Sequence, residues 1–282
     1  MNSSFPEAPL EDALLRLEAG VVRIDDAVLL NGVDLSLPPN SVTGLIGPNG
    51  AGKSTLVKAL ARQQALSAGE LMLQGQPHTR FKERAYAQQV AYLPQTVPAA
   101  PGLTVDEVVC LGRYPWHGAL GAFTVKDRAA VDAALERTGT SGLAPRFIDS
   151  LSGGERQRCW LAMLVAQQAR VLFLDEPVSA LDARHQISIM ALIRDIARES
   201  GVSVLVVLHD VNLAVHHCDH IAALKAGSIA WQGPAPALME SQVLQQIYDT
   251  PISVLEVPGT GRFAFVLPRA ATPNQETPRD GV

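Results

Sequence analysis

Cysteine is scarce. Cys110, Cys159 and Cys218 are the only three in 282 residues, and they lie far apart. An odd, dispersed set supplies neither a disulfide framework nor a zinc pattern, and it fits a reducing compartment. There is no basic excess: 23 Lys and Arg stand against 28 Asp and Glu, a net charge of −5, which argues against a nucleic-acid binder. Residues 1–12 are polar and acidic, with no basic segment and no apolar core, and so do not read as a secretory signal. No run of about 18 apolar residues occurs, so no membrane-spanning helix is expected. Yet hydrophobic residues reach 47% and mean hydropathy is +0.12. The apolar content rules out disorder of the whole chain and leaves a question: where does a chain without a membrane span put it?

The apolar residues fall into short runs separated by helical patterns. Residues 28–30 and 33–37 read as two strands split by a tight Asn31-Gly32 turn. Residues 42–46, 71–73, 90–93, 171–174 and 202–208 also read as strands. Helical stretches are predicted at 53–62, 82–89 and 183–200. Between them, Thr104 with Glu107, Thr124 with Asp127 and Ser152 with Glu155 each have capping-box spacing, which predicts helices over 105–112, 125–139 and 155–168. Alternating strands and helices predict an α/β fold with a parallel sheet. Residues 252–257 and 263–267 alternate around a Pro-Gly turn and suggest a C-terminal hairpin.

Gly47-Pro48-Asn49-Gly50-Ala51-Gly52-Lys53-Ser54-Thr55 has G-x-x-x-x-G-K-[ST] spacing between a strand and a helix. Glycines let main-chain N–H groups close on phosphate oxygens, and the helix presents its positive end to the same anion. Lys53 adds a point charge, and the Ser54 hydroxyl suits Mg²⁺. A metal also needs a carboxylate. Residues 171–174 run into Asp175-Glu176 at a strand end, where open α/β sheets bind ligands. Asp175 is expected to hold the metal through water and Glu176 to face an attacking water.

Leu151-Ser152-Gly153-Gly154-Glu155-Arg156-Gln157 resembles the signature motif of ABC-transporter ATPases. The same family order continues through Gln95, Asp175-Glu176, Ser179-Ala180-Leu181-Asp182 and His209. The resemblance covers about residues 14–257. It implies a P-loop NTPase (RecA-like) core at 13–95 and 161–235, with an N-terminal antiparallel β-subdomain. It further implies an inserted α-helical subdomain at 96–160, a C-terminal helix and β-hairpin at 236–269, and disordered tails at 1–12 and 270–282. ATP with Mg²⁺ would bind between two head-to-tail copies, with Ser152, Gly153, Gly154 and Glu155 of one closing the phosphate loop of the other. By resemblance Gln95 reaches the metal and the attacking water, Glu176 is the general base, His209 the switch histidine and Asp182 the residue coupling the two sites. Val22 stands where the family carries an adenine-stacking aromatic, so only partial cover from Val22 or Arg23, and weaker base discrimination, is expected.

Residues 111–118, with Arg113, Tyr114 and Trp116, resemble the same stretch in iron–siderophore importer ATPases, nearest to those of ferric-hydroxamate systems. That implies a cytoplasmic subunit on the bacterial inner membrane. It would serve a separate permease docked at Gln95 and the helical subdomain, fed by a substrate-binding protein. Cobalamin, haem and metal importers use the same design. A soluble non-transport ABC ATPase and a P-loop kinase or GTPase are the competing classes; the single cassette, acidic charge and signature motif argue against them. His216-His217-Cys218-Asp219-His220 invites a metal reading but is read as a polar helix end.

Overall fold

The computed structural model describes residues 13–97, 99–118 and 121–266. The expected tails, 1–12 and 270–282, lie outside the described residues. The central element is a six-stranded sheet in the order β10 (Ser228–Pro234), β9 (His220–Lys225), β3 (Val42–Ile46), β8 (Ser203–Val207), β7 (Val171–Leu174) and β6 (Val90–Leu93). All neighbours are parallel except the edge pair β10–β9.

The strand runs do not alternate in polarity because both faces of this sheet are covered. On β7, Leu172 and Leu174 enter one buried cluster, while Val171 and Phe173 enter another. Val204 and Val206 of β8 go with the first, Leu205 and Val207 with the second. The first cluster also takes Ile189, Ile193 and Ile196 from α7 (Ala183–Ser200). The second takes Leu56, Val57 and Leu60 from α1 (Lys53–Leu60) and the inner face of a four-stranded antiparallel sheet. That sheet is ordered β2 (Ala27–Leu37), β1 (Leu15–Ile24), β4 (Ala68–Leu73) and β5 (Gln76–Pro77). The surplus of apolar residues is therefore consumed by one sheet buried twice. Among the described residues no helix is long and apolar enough to cross a membrane.

The first hairpin differs from expectation. Strand β2 runs unbroken through Asn31-Gly32, and the reversal lies at Asp25-Asp26, closed by the Ile24–Ala27 pair. Between the pairs Gly20–Val33 and Val22–Leu30, β2 carries one residue more than β1, so Asn31-Gly32 is a bulge with Gly32 at φ 64°. A turn-forming dipeptide serves equally well in a bulge, because both need a left-handed residue.

Helix α2 (Glu83–Ala87) precedes β6, and the inserted segment after it holds α3 (Val105–Leu111), α4 (Tyr114–His117) and α5 (Val125–Arg137). Helix α6 (Gly153–Gln167) runs unbroken from the signature through Trp160 and Leu161 into the core. All three expected capping boxes are formed. Arg113 corrects an expectation. It is 4% exposed and buried inside this subdomain, so it presents no surface to a permease. Its Nε donates to Asp127 Oδ1 at 2.9 Å and its Nη1 to Ala166 O at 2.7 Å, and its guanidinium lies over the Trp116 ring at 4.9 Å. Hydrogen bonds from Thr124, chiefly its hydroxyl, and from Arg113 hold the Asp127 carboxyl down at about 2. Trp116 is half tied as well, through Nε1 to Gln167 O at 2.7 Å, whereas Tyr114 is 57% exposed. Arg113→Ala leaves Asp127 without its buried partner and is expected to cost about 3–5 kcal/mol in chemical denaturation. Unchanged stability would contradict the structural role.

Candidate active site

The turn between β3 and α1 is shaped by three glycines in left-handed backbone: Gly47 at φ 140°, Gly50 at 77° and Gly52 at 102°. A methyl group on Gly47 would sit 2.0 Å from Leu224 O, and one on Gly52 would sit 2.9 Å from Leu29 O. Gly52 is the N-cap of α1 and offers no side-chain cap. The first-turn amides of α1 are thus left for an anion. Lys53 is buried, and its Nζ donates to Gly47 O at 2.7 Å and Pro48 O at 3.0 Å. Burial lowers its pKa, against the pull of Glu176 and Asp175.

Asp175 follows β7, with its main-chain N–H bonded to Leu93 O of β6 at 2.9 Å. Its carboxylate is 2% exposed and receives the Ser54 hydroxyl at 3.2 Å. Burial pushes its pKa up, and the Ser54 hydrogen bond works against that shift. The spacing brought these two residues together from 121 positions apart, as expected. Glu176 turns away at φ 52°, a strained conformation of the kind that gathers at functional sites. Its two oxygens are both engaged: Gln95 Nε2 donates to Oε2 at 2.7 Å and His209 Nε2 lies 2.6 Å from Oε1. Ser54 is thereby paired with Asp175, and Gln95 and His209 with Glu176, at one end of the parallel sheet, with Lys53 preceding Ser54 at the start of α1.

The signature segment does not join that group. Ser152 and Glu155 bond each other: Ser152 N and Oγ donate to Glu155 Oε2 at 2.9 and 2.7 Å. The Ser152 bonds hold the Glu155 carboxyl low. Ser152 and Gly153 are exposed at the start of α6, and Gly154 is buried. Asp182 caps α7, accepting His185 N at 2.9 Å, and its side chain is otherwise exposed.

One reading of an individual residue needs correction. Val22 is fully buried; its side chain belongs to the hydrophobic cluster beneath β1 and cannot cover a base. Arg23 and Ile24 are the exposed neighbours. In the His216–His220 stretch the side chains diverge. His216 packs on Phe263 with ring centroids 4.7 Å apart, Cys218 is buried, and Asp219 Oδ2 accepts Val42 N at 2.9 Å. Sequence reasoning missed His185, whose ring Nδ1 lies 2.9 Å from Asp182 Oδ1. The Asp-x-x-His spacing, a relative of the capping box, was the available signal.

A family profile described as ABC transporter matches residues 30–179. The iron(3+)-hydroxamate import ATP-binding protein of Bacillus subtilis is 38% identical over 84% of this chain and 88% of its own length. This chain belongs to the ABC-transporter ATPase family. The hemin import ATP-binding protein of Streptomyces coelicolor is 41% identical, covering 93% of this chain and 92% of that one. Among solved structures, a dimeric ATP-binding cassette bound to ADP and phosphate superimposes with TM-score 0.68 at 23% identity, over 78% of this chain and 98% of that one. The fold is that of a P-loop NTPase with an antiparallel β-subdomain and a helical insertion. As a member of the family the cassette binds ATP and hydrolyses it in coupling with transport.

The turn's geometry makes a graded prediction. Gly50 has open space beside its Cα, so Gly50→Ala meets only its positive φ and is expected to cost about 1–2 kcal/mol. Gly47→Ala must also displace the Leu224 carbonyl and should destabilise clearly more in chemical denaturation. Equal losses would contradict the packing described.

Proposed function

We propose that this cassette drives uptake of a ferric siderophore, of hydroxamate type, through a separate permease on the cytoplasmic face of the bacterial inner membrane. The observation that carries the catalytic part is the pairing of Ser54 with Asp175 and of Glu176 with Gln95 and His209, beside the Lys53 turn. The similarity to hydroxamate import proteins, together with residues 111–118, supports the substrate class. The hemin import relative matches more of the chain and favours haem as the second reading.

In this reading the turn amides and the N-terminus of α1 hold the β- and γ-phosphates, and Lys53 exchanges its loop carbonyls for phosphate oxygens. The donor set fits Mg²⁺: a hydroxyl and a carboxylate, 3.2 Å apart, are hard oxygen ligands. Ser54 and Asp175 would hold it, with Gln95 as the further oxygen ligand that the family resemblance implies. Mg²⁺, when bound, offsets charge on the phosphate oxygens. Glu176 accepts the proton of the attacking water as the new P–O bond forms and the bond to ADP breaks. His209 and Gln95 orient that carboxylate from either side. Two copies complete the site head to tail, Ser152, Gly153 and Gly154 of one facing the phosphates at the other. This arrangement is consistent with the exposure of Ser152 and Gly153 and with the dimeric state of a related cassette.

Tyr114, exposed beside the half-tied Trp116, is the proposed anchor for the permease, together with the exposed Gln95; aromatics are favoured in such contacts. Arg113 supports that surface from beneath.

Glu176→Gln keeps the side-chain shape and one acceptor oxygen but removes the base. It is expected to lower ATP hydrolysis by about 10²–10⁴-fold while leaving nucleotide affinity nearly unchanged; turnover at the wild-type rate would remove Glu176 from that role. Tyr114→Ala should weaken co-purification with the permease without lowering thermal stability, and undiminished assembly would count against the anchor. The function itself is tested by reconstitution with permease and binding protein. Stimulation of hydrolysis by a ferric-hydroxamate-loaded binding protein, and not by a hemin-loaded one, is the expected result; the reverse establishes the haem reading.

A further inference from the structure

One side chain joins the Asp182 loop to the start of α6, and the reaction described above does not use it. His185 is the third residue of α7. Its main-chain N–H and its ring Nδ1 both lie 2.9 Å from Asp182 Oδ1. An ionised carboxylate has no proton to give, so Nδ1–H is the donor. These bonds, the main-chain one first, hold the Asp182 carboxyl below its usual range. The far edge of the ring lies on Gly154. A methyl group there would come within 2.6 Å of Cδ2 and 3.2 Å of Cγ and Nε2. Gly153 faces Leu181 from the same loop, with 3.5 Å between its missing methyl position and Leu181 Cδ2. Further along, Arg158 Nη2 donates to Ser188 Oγ at 2.6 Å and ties α6 to α7 a second time.

We propose that His185 is a positioning residue that locks the Asp182 loop and the Ser152–Gly154 helix start into one face, the face that closes on the nucleotide of a second copy. The inference rests on the two-copy reading of the site. His185 touches no reacting group. It fixes the carboxylate of Asp182 through one edge and the height of the signature helix through the other. A methyl group at Gly154 would push the ring aside, so the approach seen here depends on the glycine. Without the ring, the two segments keep their separate caps and the Arg158–Ser188 bond but lose the contact that runs from the Asp182 carboxylate to Gly154.

The test compares His185→Ala, His185→Asn and the wild-type full chain by kcat, nucleotide affinity, thermal midpoint and dependence of rate on protein concentration. Asparagine places Nδ2 close to where the histidine carries Nδ1–H. His185→Ala should lower kcat roughly ten- to hundredfold, the scale of a misplacement of about 1 Å, with nucleotide affinity and thermal midpoint little changed. His185→Asn should recover most of the rate. Wild-type kcat in His185→Ala, or no recovery in His185→Asn, overturns the proposal. A wild-type rate per molecule that is independent of protein concentration overturns the two-copy reading and this inference with it.

Discussion

The phosphate turn exists only because three pieces of backbone meet where no side chain fits. Gly47 lies against the Leu224 carbonyl of β9, and Gly52 against the Leu29 carbonyl of β2. Gly227, in the β9–β10 turn, lies against that same Leu29 carbonyl, while its N–H donates to Ala51 O at 3.0 Å. Asn31 N then donates to Gly227 O at 2.8 Å, from the bulge in β2. The antiparallel subdomain and the parallel sheet are thus fastened to each other at the turn itself. The bulge at Asn31-Gly32 brings β2 to that junction, and Lys53 enters α1 from it already bonded to two loop carbonyls.

The doubly covered sheet supplies the rest of the geometry. Parallel strands β3, β7 and β8 end at one edge, and each is followed by residues of the proposed site as it leaves the core: the phosphate turn, Asp175-Glu176 and His209. Burial makes Asp175 reluctant to ionise and Lys53 reluctant to protonate, while each favours the charge of the other. Glu176 sits between Gln95 and His209, which come from different loops, so its orientation depends on both. The signature and Asp182 segments form a second, separately braced face, held by capping bonds and by the His185 contact.

What was legible in the sequence was local. Capping boxes, the glycine-lysine turn and the apolar strand runs each depend on residues a few positions apart, and all are formed. What was misread depended on tertiary context. Asn31-Gly32 satisfies a hairpin turn or a bulge equally, and the β1–β2 pairing decides between them. Arg113 has the charge of a surface residue, and only the convergence of Asp127, Ala166 and Trp116 shows it to be buried. Val22 could be aligned to a base-stacking position, but its direction is set by the face of β1. His185 joins segments 31 positions apart, a contact for which its spacing to Asp182 was at most half a clue.

The central claim is that one copy holds an incomplete site, with catalytic groups at the phosphate turn and the closing groups on a separate face. Sedimentation of the Glu176→Gln chain with and without ATP tests it most directly. The account predicts a monomer without nucleotide and a dimer carrying one ATP per chain with it. A chain that binds ATP and remains monomeric at every concentration would contradict it.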